Sequence, residues 1–155
     1  MLKRVSKSSA QASDATVAIV ASKYNGRYVD AMVKAARRAL GQAGAKIELV
    51  RVPGAFEIPT VTAAIASRAA PPAAIICLGV IFQGQTSHAQ HIGWGVTHAL
   101  ADLQVTHRLP VIHGVFVFEK EEHARGRCLS RTHNRGTEAA HTALEMARVM
   151  KSLRT

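Results

Sequence analysis

Four short apolar runs recur along the chain: TVAIVAS (16–22), AKIELVRV (45–52), AAIICLGV (73–80) and PVIHGVFVF (110–118). TVAIVAS reads as a buried strand, AKIELVRV alternates apolar and polar residues as a second strand, and the other two runs are a third and a fourth. The stretches between them change period. Val29, Met32, Val33, Ala36 and Leu40 fall on one helix face, as do Val96, Ala99, Leu100 and Leu103. A helix is expected from Pro53–Gly54 through EIPTVTAAIASRAA to the stop at Pro71–Pro72. Another is expected from Asn134 to Leu153, with Met146, Val149, Met150 and Leu153 in register. This alternation predicts right-handed crossovers and a four-stranded parallel sheet covered on both faces, a three-layer αβα sandwich. Ligands of such sheets sit beyond the carboxyl ends of the strands. The segments KYNG (23–26), PGAFE (53–57), FQGQTSH (82–88) and the residues after Phe118 are therefore expected to converge on one edge.

The chain has 155 residues, of which 48% are hydrophobic, enough for a sizeable core. No apolar run approaches the roughly 20 residues of a membrane helix, so no membrane partner is expected. The net charge of +10 favours anionic ligands. Aromatic residues make up only 5%, too few for the stacking platforms that bind single-stranded nucleic acid. Nucleic acid is therefore not an expected partner. Cys77 and Cys128 lack CxxC spacing, which fits a reducing cytoplasm, with Cys77 packing as a small hydrophobe. Residues 1–14 lack the apolar core of a secretory signal and are expected to form a disordered tail. Residues 15–155 are expected to form a single domain.

FQGQTSH admits two readings. Gly84 permits a sharp turn, and the amides of Gln85, Thr86 and Ser87 at a helix start can cradle a phosphate. Alternatively, Thr86 or Ser87 simply caps the helix. His88, in the first turn, can give or take a proton near neutral pH, or can be a plain surface histidine. His91 lies one turn on, but no Asp or Glu between Glu57 and Asp102 completes a metal site, and none is expected. Glu57 sits in the first turn after VPG, where its charge is favoured and its carboxylate can accept ligand hydroxyls. Tyr24 can stack on a planar ligand or lie over the core. Asn25 reads as turn chemistry and His113 as a strand residue. ARGRCLSRTHNRG carries four arginines and no acid, and Arg127 offers a fork that matches a phosphate.

VPGAFEIP, LGVIFQGQTSH and NRGTEAAHTALEM, in this order and with KYN upstream, resemble the lumazine synthase family of riboflavin biosynthesis from about Thr16 to Leu153. The resemblance implies a flavodoxin-like homopentamer, with decamers or 60-mers in some members and riboflavin synthase as a candidate partner. It implies condensation of 5-amino-6-ribitylaminouracil with 3,4-dihydroxy-2-butanone 4-phosphate, without metal or organic cofactor. Tyr24, followed by Asn25, would stack on the pyrimidine. Backbone groups of Val80, Ile81 and Phe82 would read its polar edge. Ala55, Phe56 and Glu57 would hold the ribityl chain. The amides of Gln85 and Thr86 would grip the phosphate, joined by Arg127 from a neighbouring subunit, with Arg135 as an additional candidate. His113 of the neighbour would line the ring pocket, and His88 would shuttle protons. The chain departs from the family pattern at Gln83, Gln90, His113, Val117–Phe118 and Arg135, where Arg, an acid, Phe, Thr-Thr and Lys are usual. These departures, with the arginine charge, keep two other readings open: a flavin- or pterin-binding carrier or shell, and a nucleic-acid binder.

Overall fold

The computed structural model describes residues 14–155, so the expected tail lies outside the described residues except for Asp14. Four parallel strands, β1 (Thr16–Ser22), β2 (Lys46–Val52), β3 (Ala74–Phe82) and β4 (Val111–Phe118), form one sheet in the order β2-β1-β3-β4. The helices are α1 (Gly26–Gln42), α2 (Ile58–Ala66), α3 (His88–His107), α4 (Glu121–Ala124) and α5 (Arg135–Arg154). Successive strand residues point to opposite faces. Accordingly Val17, Ile19 and Ala21 pack with α1 and α5, while Ala18 and Val20 pack with residues of α2 and α3. Both faces are covered, as the unbroken apolar runs require.

The strands fall where the runs place them, with one extension. β3 continues through Ile81 and Phe82 because these residues still pair with Val117 and Phe118 of β4. α2 ends at Ala66, short of the expected stop at Pro71–Pro72. Ser67 Oγ turns back onto the Ala63 carbonyl (2.8 Å), and Arg68 reaches across to Glu48 on β2 (2.8 Å). Pro71 has no N–H for the Ser67 carbonyl and disfavours helical backbone at the residue before it, so the helix ends ahead of the Pro71–Pro72 pair. Before α2, Ala55–Glu57 form a 3₁₀ turn. Between β4 and α5 the chain makes α4 and then a π-turn, Arg125–Leu129, neither of which the sequence reading anticipated. Asn134 caps α5 by accepting the Gly136 amide (2.8 Å). Among the described residues, no helix is long and apolar enough to cross a membrane.

Candidate active site

The order β2-β1-β3-β4 puts a topological switch between β1 and β3. From β1 the chain moves one way to β2, and then back past β1 to β3. The carboxyl ends of two strands at such a point leave a crevice that no helix fills. A cavity of about 640 Å³ opens there. It is lined by Tyr24 and Asn25 after β1, Gly54–Glu57 after β2, Val80–Phe82 at the end of β3, and His88, His91 and Ile92 in the first turns of α3. Three of the four expected segments therefore converge. The residues after Phe118 do not line this cavity, because β4 is the edge strand and the chain beyond it crosses to α1.

The loop after β1 is tied to the loop after β2. The amides of Lys23 and Tyr24 both reach the Pro53 carbonyl (3.0 Å). Tyr24 is 67% exposed and Phe56 63%, so two rings stand free at the mouth. Gly54 gives the Tyr24 ring its place: a Cβ there would lie 2.8 Å from Tyr24 Cδ2. The Gly54 amide donates to Glu57 Oε2 (2.9 Å), which orients the carboxylate and leaves Oε1 for a ligand. Asn25 is left-handed (φ 57°), a conformation that Asn tolerates better than most residues. Its side-chain amide donates to the Val80 carbonyl (2.7 Å), pinning the start of α1 to β3. That bond commits the Asn25 amide to the protein itself.

The turn into α3 differs from the sequence expectation in one respect. Gly84 lies outside the left-handed region, and a Cβ there would meet nothing within 4 Å, so no sharp turn demands glycine. The turn is braced instead by Gln83 Nε2, which donates to the Thr86 carbonyl (3.1 Å). Ser87 holds the cap position without a side-chain cap bond, and Thr86 Oγ1 takes the His88 amide at a long 3.4 Å. The amide end of this 20-residue helix is thus only weakly satisfied by side chains and faces solvent, which suits an anion. Gln85 and Thr86 are exposed beside the cavity but do not line it.

His113, Arg127 and Arg135 stand apart from this cavity. His113 Nδ1 accepts from the Val115 amide (3.3 Å), which leaves the ring proton on Nε2 to donate to Thr97 Oγ1 (2.8 Å). Desolvation of the ring lowers its pKa and favours this neutral form. The arginine segment, acid-free in sequence, is partly neutralised by flanking acids. Glu121 lies 3.5 Å from Arg125, and Glu138 pairs with Arg135, whose guanidinium also sits over the Phe116 ring. Arg127 is exposed and makes no ion pair among the described residues. Cys77 and Cys128 are free and buried, and burial pushes the Cys77 thiol up to about 12, which suits packing rather than nucleophilic chemistry. His91 and Ile92 of the lining lie outside the segments expected to converge. The one-turn spacing of His91 from His88 was the available signal for His91.

The model of the family described as 6,7-dimethyl-8-ribityllumazine synthase matches residues 14–151. The chain is 39% identical to the 6,7-dimethyl-8-ribityllumazine synthase of Stenotrophomonas maltophilia (strain R551-3), over 90% of this chain and 91% of that protein. It is 38% identical to the enzyme of the same name from Xanthomonas campestris pv. campestris (strain B100), over 87% and 89%. The corresponding protein of Xanthomonas oryzae pv. oryzae (strain PXO99A) is 36% identical over 90% and 92%. With a match that spans every strand and every cavity-lining segment, this chain belongs to the 6,7-dimethyl-8-ribityllumazine synthase family.

Proposed function

We propose that the cavity at the carboxyl ends of β1, β2 and β3 is where this chain makes 6,7-dimethyl-8-ribityllumazine. The chain is a transferase of riboflavin biosynthesis. It condenses 5-amino-6-ribitylaminouracil with 3,4-dihydroxy-2-butanone 4-phosphate and releases phosphate and two waters. The observation that carries the site assignment is the convergence of Tyr24, Glu57, the Val80–Phe82 strand end and His88 on one cavity.

Tyr24 stacks on the pyrimidine, and the backbone of Val80, Ile81 and Phe82 reads its edge. Ala55, Phe56 and Glu57 hold the ribityl chain, with Glu57 Oε1 accepting hydroxyls. Asn25 serves by fixing Val80 rather than by touching substrate. Imine formation, loss of phosphate and ring closure require two substrates held in register, a place for the leaving phosphate and a modest acid–base group. His88 supplies the last of these. The weakly capped start of α3 at Gln85 and Thr86 takes the phosphate, and Arg127 of a neighbouring copy completes the anion site. The same neighbour brings His113 to the ring pocket, and Arg135 is an additional candidate for the anion site. That Arg127 and His113 lie away from the chain's own cavity supports a site shared between copies, and the family resemblance makes that assembly a homopentamer. The strand order supports a flavodoxin-like domain over residues 15–155, and the two unpaired thiols support a cytoplasmic setting.

His88→Ala is expected to lower kcat about tenfold or more while leaving both KM values within about twofold, because orientation survives the loss of the proton carrier. Steady-state assay with both substrates checks this. Unchanged turnover removes His88 from proton transfer. A wild-type chain that binds the lumazine but converts neither substrate is a carrier instead.

A further inference from the structure

The segment that carries Arg127 is short and poorly supported by its own hydrogen bonds. A four-residue helix runs straight into a π-turn, and neither holds its shape alone. Two ties secure its far end. Ala124 and Cys128, four residues apart, are fully buried against α1 and α5, and Asn134 Nδ2 donates to the Cys128 carbonyl (2.6 Å). The near end is held differently. The Tyr28 hydroxyl donates to the Glu121 carboxylate, the first residue of α4. Arg125 and Arg27 flank the same carboxylate at 3.5 and 3.7 Å.

Tyr28 differs from the partners around it. Exposed arginine pairs are individually weak. The Tyr28 ring is 5% exposed and sits edge-to-face on Phe82, centroids 5.5 Å apart. A hydroxyl on a ring fixed in the core has little freedom to lose when it bonds, and a carboxylate acceptor strengthens the bond. Glu121 also flanks the arginine segment, which carries no acid of its own. It pairs with Arg125, while Arg127, two residues on, makes no ion pair among the described residues.

We infer that Tyr28 and Glu121 are positioning residues for phosphate capture, forming a clamp that sets the Arg127 turn. This rests on reading Arg127 as the anion-binding arginine. The hydroxyl bond holds Glu121 below the usual carboxylate range, with Arg125 adding to the effect, so the acceptor stays charged near neutral pH. Phe82 belongs to the cavity wall, so one ring braces both a strand end of this chain's cavity and the turn that this chain offers to its neighbour.

The test uses full-length Tyr28→Phe, Glu121→Gln and Arg127→Ala proteins, with KM for each substrate, kcat and Tm measured separately. Tyr28→Phe keeps the ring on Phe82 and removes only the hydroxyl. Both clamp variants are expected to raise KM for the phosphorylated butanone about fivefold, with KM for the ribitylaminouracil unchanged. A merely structural role would lower Tm or kcat without that selectivity. If Arg127→Ala raises the butanone KM and neither clamp variant does, or if both KM values move together in the clamp variants, the clamp is wrong. If Arg127→Ala itself leaves the butanone KM unchanged, the anion-site reading fails and the clamp fails with it.

Discussion

Gly136→Ala is expected to lower the unfolding temperature by about 10 °C or more, a loss of about 3 kcal/mol. The position is where α5 crosses α1. A Cβ on Gly136 would lie 2.0 Å from the Met32 carbonyl oxygen and 2.6 Å from its carbon. Both contacts are with helix backbone, so no side chain can rotate out of the way. The two helices would have to separate. That separation would loosen Ala139, Ala140, Ala143 and Leu144 of α5 from Met32, Val33 and Ala36 of α1, all of them buried in one core cluster. It would also strain the Asn134 cap, which accepts the Gly136 amide and donates to Cys128 at the end of the Arg127 turn. Thermal unfolding followed by circular dichroism checks this. A Tm within about 2 °C of wild type would mean that α5 does not approach Met32 this closely.

Arg127→Ala is the largest expected effect on the chemistry. Arg127 is exposed on its π-turn, has no ion pair among the described residues, and does not line the cavity of its own chain. A guanidinium that binds a phosphate dianion makes charge-assisted, two-pronged bonds that an alanine cannot replace. KM for the phosphorylated butanone is expected to rise on the order of tenfold to a hundredfold. KM for the ribitylaminouracil should stay near wild type, because that substrate carries no phosphate. Raised salt should weaken capture of the phosphorylated substrate in wild type more than in the variant, since the charge being screened is gone there. Equal KM changes for both substrates would place Arg127 in general architecture rather than in anion binding.

Much of this arrangement is readable from local pattern, and what is not readable has a common cause. β1 falls on TVAIVAS because Val and Ile alternate between two buried faces. Glu57 and His88 line the cavity because each follows a strand end, which is a local signal, while the roles given to them rest on the family resemblance. The misses are non-local. The sheet order keeps the β4 end out of the cavity, and no property of the residues after Phe118 reveals this. The Asn25 amide reads as turn chemistry, yet it bonds Val80, 55 positions away. Arg68, just past the end of α2, pairs with Glu48 on another element. The Arg127 turn lacked a periodic stripe long enough to notice. Its only trace was Ala124 and Cys128, two small apolar residues one helical turn apart. Glu121 was overlooked as a counter-charge because it precedes the arginine segment and acts through Tyr28.

If each site joins the His88 cavity of one copy to Arg127 of the next, mixed assemblies of two inactive variants should regain activity. His88→Ala and Arg127→Ala chains, each nearly inactive alone at low butanone phosphate, would be unfolded together, co-assembled in equal amounts and assayed with both substrates. Random placement around a ring leaves about one site in four with His88 intact on one side and Arg127 intact on the other, so about a quarter of wild-type activity should return. Activity no greater than the mean of the two separate variants would contradict a site shared in this way.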